Sequence, residues 1–341
     1  MLSSGGLRRY VTELSLALAR EFPEDTYQLF SDQPFALPQG SPGNLVMGPD
    51  GGYNRRWWLR GIRQALRESG AELFHGTNFE VPYLGGTPAV LTIHDLSPWR
   101  DPAWHSAAGR VRRRTPWLVW FRRAGIILTF SEAVRREAIA FFGVRSDRVR
   151  AIPHAASELF RPAPEGPPAA RPFFLFVGTL EPRKNIPMLV EAWRATREQT
   201  GADLAIAGRT RADFVPVPRE DGLRILGEVP DADLPRLYSQ ALAFVYPTHY
   251  EGFGLPVLEA MQCGCPVIAS RDPAVTEVCG GAAVHVGSVP ELALAMREIA
   301  SVAPLRAEMR QAGLDRAAKY SWQSTARATR ALYAELAGER V

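Results

Sequence analysis

Two short stretches of the chain gather residue types suited to holding a charged, hydroxyl-rich ligand. The first is Tyr246-Pro247-Thr248-His249-Tyr250-Glu251-Gly252-Phe253-Gly254-Leu255-Pro256-Val257-Leu258-Glu259-Ala260. The apolar run Ala243 to Tyr246 reads as a strand that ends in a turn carrying Glu251, Gly252 and Gly254. Pro256 then fits the first turn of a helix that stops at Gly264. Gly252 and Gly254 permit close backbone approach to a ligand, and a helix N-terminus offers unpaired N–H groups to a phosphate. Glu251, ahead of the helix, and Glu259, about one turn inside it, can accept hydrogen bonds from sugar hydroxyls. Taken alone, Glu259 is equally a surface carboxylate favoured by the helix dipole.

The second stretch is Phe174-Leu175-Phe176-Val177-Gly178-Thr179-Leu180-Glu181-Pro182-Arg183-Lys184-Asn185, a hydrophobic strand opening into a short loop before a helix. Two adjacent cations at a strand's C-terminal end suit a diphosphate leaving group, and a compact ammonium suits a point contact to it. Lys184 is one of two lysines in the chain, the other being Lys319; the remaining 38 basic residues are arginines. A solvated turn is the alternative for Arg183 and Lys184. Asp231-Ala232-Asp233 has the spacing of a metal–diphosphate motif, but it directly precedes the helical pattern Leu234, Leu237, Tyr238, and helix capping accounts for it. Cys263, Cys265 and Cys279 lack a second ligand pair at metal spacing and read as buried thiols. We expect no metal and no cofactor.

Short apolar runs alternate with helical patterns throughout, the signature of parallel βαβ units. Helices are predicted at 7–20 and 56–69, and strands at 26–31, 71–75, 88–94, 125–130 and 149–152, with Ser131 capping a helix that follows. Further strands are predicted at 173–178, 203–208, 223–227, 242–246 and 266–269, and a last helix at about 321–337. The Pro-rich segment 161–172 cannot join a helix and divides the chain. The domains expected are therefore 1–165, 166–320 and a C-terminal helix, 321–341, packing back on the first.

These stretches resemble the retaining GT-B glycosyltransferases of the group 1, or family 4, type. Ile206-Ala207-Gly208, Leu226-Gly227-Glu228-Val229, His94-Asp95-Leu96 and Phe130-Ser131-Glu132 extend the resemblance over most of the chain. It implies an α/β protein with two Rossmann-like domains facing a central cleft. It also implies that Arg183 and Lys184 hold a donor diphosphate, with Gly178 beside them. Glu251 would bind the transferred sugar near the backbone of Gly252, Phe253, Gly254 and Leu255. Glu259 would bind the ribose, and Leu226 and Gly227 would lie against the base. His94 would face the anomeric carbon from the acceptor side, with Asp95, Gly5 and Gly6 nearby, although His94 also reads as a structural histidine at a strand end. The resemblance is nearest to mannosyl- or rhamnosyl-type members that build surface polysaccharides. GDP-mannose is the expected donor and a glycan or lipid-linked glycan the expected acceptor. Ile152-Pro153-His154-Ala155 departs from the Asn-Gly pair usual at that place.

Composition narrows the alternatives. Residues 1–165 carry 21 basic against 16 acidic side chains, and residues 166–341 carry 19 against 20. The positive half suggests an anionic partner. The run Arg110, Arg112, Arg113, Arg114, Trp117, Leu118, Trp120, Phe121, Arg122, Arg123 reads either as a helix resting on anionic lipid or as a solvated helix with one apolar face. No apolar run is long enough to span a membrane, and the odd, clustered cysteines point to a reducing compartment, so a cytoplasmic, peripheral protein is expected. A GT-B sugar epimerase and a basic nucleic-acid-binding protein are the rival readings; the second lacks an aromatic-and-Gly RNA-binding signature. Gly5-Gly6 precedes a helix where a first strand should lead in; a differently built N-terminal sheet, or a flexible terminus with helix-stop glycines, is the alternative to a start that lies upstream. The reading frame is therefore expected to continue upstream of Met1 with an apolar run of about 5–8 residues.

Overall fold

The computed structural model describes residues 6–49, 56–101, 104, 105, 108–164, 169–212, 214 and 219–338. The chain forms two compact units, one of Met1–Ala155 with Ser321–Val341, the other of Ala156–Tyr320. The division falls at Ala155, ahead of the Pro-rich segment; the expected boundary at 165/166 lies outside the described residues.

The first unit begins with α1 (Gly6–Glu21), β1 (Tyr27–Leu29) and β2 (Leu45–Met47). A π-helical turn at Trp57–Gly61 leads into α2 (Ile62–Ser69). Then come β3 (Phe74–Gly76), β4 (Ala89–Thr92), α3 (Ser97–Arg100), α4 (Gly109–Trp120), β5 (Ile126–Thr129), α5 (Glu132–Phe142) and β6 (Val149–Ala151). Strands β3 to β6 form one parallel sheet in chain order, and β1 pairs with β2 in a separate parallel sheet. The central strands β4 and β5 are buried along their whole length, as expected of strands covered on both faces. Ser131 caps α5, its hydroxyl accepting from the amide of Val134 at 3.2 Å. β2, which the sequence reading missed, is three residues long and ends on an exposed Met47.

The second unit holds β7 (Phe173–Val177), α6 (Ile186–Arg194), α7 (Arg197–Thr200), β8 (Asp203–Ala207), β9 (Leu223–Gly227), α8 (Leu234–Gln240) and β10 (Ala243–Tyr246). It continues with α9 (Leu255–Gln262), β11 (Val267–Ser270), α10 (Pro273–Cys279), β12 (Val284–Val286), α11 (Val289–Ser301) and α12 (Ala303–Ala317). Its sheet is parallel in the order β12-β11-β10-β7-β8-β9. Phe174 of β7 pairs with Leu204 on one side and Ala243 on the other. This is the doubly wound order, whose direction reverses between β7 and β10. Edge strand β12, missed by the sequence reading, is short and carries the polar His285.

The chain returns to the first unit as α13 (Trp322–Ala337), capped by Ser321. Arg327 pairs with Glu21 at 2.7 Å and Arg330 with Asp25 at 2.7 Å. The Tyr333 hydroxyl lies 2.6 Å from Nδ1 of His75, whose Nε2 is 2.7 Å from the hydroxyl of Thr92. Tyr10 of α1 closes this chain of polar groups at 3.3 Å from Thr92.

Strands β1 and β3 belong to different sheets, yet both line one cavity of about 730 Å³, together with Leu14, Leu18, Trp58 and Tyr333. Inserting a strand there would join the two sheets in the order β2-β1-new-β3-β4, the doubly wound sequence seen in the second unit. A chain carrying an apolar, β-forming segment of about 5–8 residues joined ahead of Met1 is therefore expected to melt several degrees higher. An unchanged or lower melting temperature would show that the gap does not seat a strand.

Candidate functional site

The reversal of strand order in the second unit places the loops after β7 and β10 side by side at the C-terminal edge of the sheet. The β7 loop ends in a 3₁₀ turn, Pro182–Lys184, and Asn185 then adopts a left-handed conformation, φ 53°, at the start of α6. Gly178 and Gly208, at the ends of β7 and β8, have φ of 154° and 143°. A Cβ on Gly208 would overlap the Gly178 carbonyl, so only glycine lets the two strand ends approach this closely. The β10 loop ends at Gly254, φ 100°, from which α9 starts.

These loops meet through charge. Lys184 is buried, and its ammonium donates to the Tyr246 hydroxyl at 2.6 Å and to the carboxylate of Glu251. Nη1 of Arg183 lies 3.0 Å from the other Glu251 oxygen and donates to the Tyr250 carbonyl at 3.0 Å. Its Nε lies 2.6 Å from Glu181, which Arg211 reaches from the other side at 3.1 Å. The Thr248 hydroxyl is 2.9 Å from Glu251. Burial alone would raise the Glu251 carboxyl, but Arg183, Lys184 and the Thr248 hydrogen bond bring it down to about 2. Burial and then the charge of Arg183 lower the Lys184 ammonium, against the pull of Glu251. The amide of Glu251 donates to Asp272 at 3.3 Å, while the other oxygen of Asp272 caps α10 through Ala274 and Val275, at 3.0 Å each.

Arg183 and Lys184, read in the sequence as ligands of a diphosphate, and Glu251, read as a ligand of sugar hydroxyls, are joined in the fold, both cations pairing with the Glu251 carboxylate. Gly252, Phe253 and Gly254 are buried beside them, and Leu255 is half-buried. Glu259 is buried rather than a surface carboxylate and accepts from the Tyr238 hydroxyl at 3.3 Å. Leu226 and Gly227 end β9, with Gly227 at φ 68°. Asp233 stands at the N-cap position of α8 but makes no side-chain cap hydrogen bond, so the capping assigned to it is positional only. Among the described residues no group of three or more His, Cys, Asp or Glu side chains is arranged to hold a metal ion. Thr248, Tyr246, Glu181 and Asp272 were missed. The Asp272-Pro273 pair, a cap residue followed by proline at a helix start, is the signal that would have found Asp272.

In the first unit His94 follows the end of β4, half-buried among Tyr10, Phe79 and Phe130, with ring centroids 5.8, 5.7 and 5.1 Å away. Its Nε2 donates to the Thr77 carbonyl at 2.8 Å, which leaves Nδ1 as the acceptor in the neutral ring, and burial lowers its pKa. Asp95 accepts from the amide and hydroxyl of Ser97 at 2.9 and 2.5 Å, fixing the start of α3. Gly6 opens α1, whose Tyr10 touches His94; Gly5 lies outside the described residues. His154 stacks on Trp322 at 5.9 Å, buried.

Residues 160–316 match the family described as glycosyl transferases group 1, and residues 4–157 match glycosyltransferase family 4. The chain belongs to the group 1 glycosyltransferases and has their GT-B fold of two Rossmann-like domains. It is 38% identical over 239 residues to O-antigen chain mannosyltransferase B of Escherichia coli, covering 64% of this chain and 62% of that protein. It is 28% identical over 243 residues to O-antigen chain mannosyltransferase RfbU of Salmonella typhimurium, covering 69% and 65%. The chain thus spans less than two thirds of either relative. Among solved structures it resembles sucrose-phosphate synthase from Thermosynechococcus elongatus, with TM-score 0.75, 20% identity and 97% and 94% of the two chains covered. Anabaena HepE, solved with UDP and glucose, gives TM-score 0.74, 18% identity and coverage of 98% and 97%.

The imidazoles of half-buried His75 and buried His154 give the fold a pH dependence. Burial, and then the nearby His94, push His75 and His154 down to about 3. Unfolded, each returns to about 6.5, so the unfolded chain binds more protons between those values. Stability is full above pH about 6.5 and falls as pH drops, by about 1.4 kcal/mol per pH unit for each imidazole. Asp272, held up at about 6 by burial, acts in the opposite sense from its unfolded value of 3.8 and offsets roughly one of the two. The unfolding free energy is expected to decline from pH 6.5 to 5, with a shallower slope in His75→Gln. A flat profile in the parent chain would contradict this.

Proposed function

We propose that this chain is a retaining hexosyltransferase that moves mannose from GDP-mannose to a glycan or lipid-linked glycan during surface polysaccharide assembly. The observation that carries this reading is the joining of Arg183 and Lys184 to Glu251 at the strand-order reversal of a doubly wound sheet, beside the N-terminus of α9. The O-antigen mannosyltransferase relatives support the sugar and the pathway.

In this reading Arg183 and Lys184 hold the donor diphosphate and Glu251 takes a hydroxyl of the transferred sugar. Backbone groups of Gly252, Phe253, Gly254 and Leu255 line the same loop. Glu259 takes the ribose, and Leu226 and Gly227 take the base. His94, Asp95 and Gly6 are assigned to the acceptor. The bond from the anomeric carbon to the phosphate oxygen breaks as the acceptor hydroxyl oxygen bonds to that carbon on the same face. The hydroxyl proton passes to the departing diphosphate. Two fixed cations and a helix N-terminus stabilise the developing charge, so no metal is required. A membrane-peripheral, cytoplasmic location fits α4, which exposes Trp117, Trp120 and neighbouring Phe121 beside Arg113 and Arg122. No described helix is long and apolar enough to cross a membrane.

Lys184→Ala is expected to lower kcat/KM for nucleoside diphosphate release from GDP-mannose by about 30- to 1000-fold, corresponding to about 2–4 kcal/mol of transition-state stabilisation. Activity within a few-fold of the parent would refute the assignment. Transfer is also expected to persist in excess EDTA; strict dependence on Mg²⁺ or Mn²⁺ would redirect attention to Asp231 and Asp233.

A further inference from the structure

At the N-terminal ends of β4 and β5, the edge of the sheet opposite His94, the first unit has a second cavity of about 390 Å³. Arg63 and Arg67 of α2 line it, as do Arg122 and Arg123 after α4, with the loop at Gly85 and Thr87 completing it. No aspartate or glutamate is among the residues that line it. The Nε atoms of Arg63 and Arg123 are buried and make no hydrogen bond within the described residues. Both are strong donors without an acceptor, a standing cost that an oxygen ligand would remove. Arg122 adopts φ 52°, a left-handed conformation uncommon for arginine, at the turn that brings Arg122 and Arg123 to the cavity. Behind them Arg148 donates to the carbonyls of Ala124 and Gly125, and burial and then the charge of Arg122 hold its guanidinium below the usual arginine pKa, against the pull of Asp147.

Four arginines line the cavity with no carboxylate among its lining residues, so an anion entering it meets side chains of opposite charge only. Guanidinium forks match phosphate oxygens geometrically, and the cavity is larger than one phosphate needs, leaving room for an ester substituent. We propose that this cavity is a phosphate-binding site, with room for the substituent of a phosphate ester, and separate from the donor site of the second unit. The phosphate can come from a soluble ester or from a lipid headgroup. Arg122 directly follows the exposed Trp120 and Phe121, which places an interfacial aromatic pair next to the site.

The test uses the full chain. Thermal unfolding is compared in sodium phosphate and in sodium chloride at matched ionic strength and pH. The parent chain is expected to melt higher in phosphate. Lys184→Ala should keep that increment, which separates it from the donor site, and the double variant Arg63→Gln/Arg123→Gln should lose it. Because that pair is partly buried, Arg67→Gln/Arg122→Gln serves as a second variant and should lose most of the increment. Co-sedimentation with vesicles of phosphatidylglycerol or phosphatidylcholine then identifies the source. A drop of about tenfold or more in phosphatidylglycerol binding by the variants assigns a lipid headgroup, and unchanged vesicle binding alongside a lost phosphate increment assigns a soluble ester. Equal phosphate increments and equal vesicle binding in the parent and both double variants would overturn the proposal, as would the absence of any phosphate increment or phosphatidylglycerol preference in the parent.

Discussion

The second unit depends on a buried ion pair between Lys184 and Glu251, braced by Arg183, Tyr246 and Thr248. Placing these charges away from water is costly, and removing one partner of such a pair typically costs about 3–5 kcal/mol, because a charge is left uncompensated. The two loops that carry them come from strands far apart in the chain, and only the reversed order β10-β7 brings them together. The pair therefore couples the fold to the proposed chemistry: the sheet sets the distance, and the pair holds the loops in place. Arg183 and Lys184 are already ordered by carboxylates, so a diphosphate would meet donors whose side-chain entropy has been spent.

The first unit is organised differently. Its site edge is aromatic, with His94 enclosed by Tyr10, Phe79 and Phe130, and its polar groups run in a line from Tyr333 through His75 and Thr92 to Tyr10. That line ties the last helix of the chain to the first. Replacing Tyr333 would leave a half-buried imidazole short of a partner as well as opening space, so the C-terminal helix is integral to this unit rather than an appendage.

Much of this was legible in the sequence because the informative residues obey local rules. The parallel strands of the second unit are continuous apolar runs, and Pro256 and Gly254 mark a helix start without any tertiary information. Ser131 caps its helix as serine does in isolation. What was not legible is contact between residues distant in sequence. Nothing local says that Glu251 satisfies Lys184, or that Glu259 turns inward to Tyr238 instead of facing solvent. The short strands β2 and β12 escaped for another reason: both owe their strand state to a neighbour, β1 and β11 respectively.

The central claim, that Lys184 and Glu251 act as one unit in holding the donor, is tested most directly by a double-mutant cycle on nucleotide affinity. GDP binding is titrated calorimetrically for the parent chain, Lys184→Gln, Glu251→Gln and the double variant. If the pair is one unit, the double variant should lose much less affinity than the sum of the two single losses, with a coupling of about 1–3 kcal/mol. Additive losses, or single variants that bind GDP as the parent does, would contradict it.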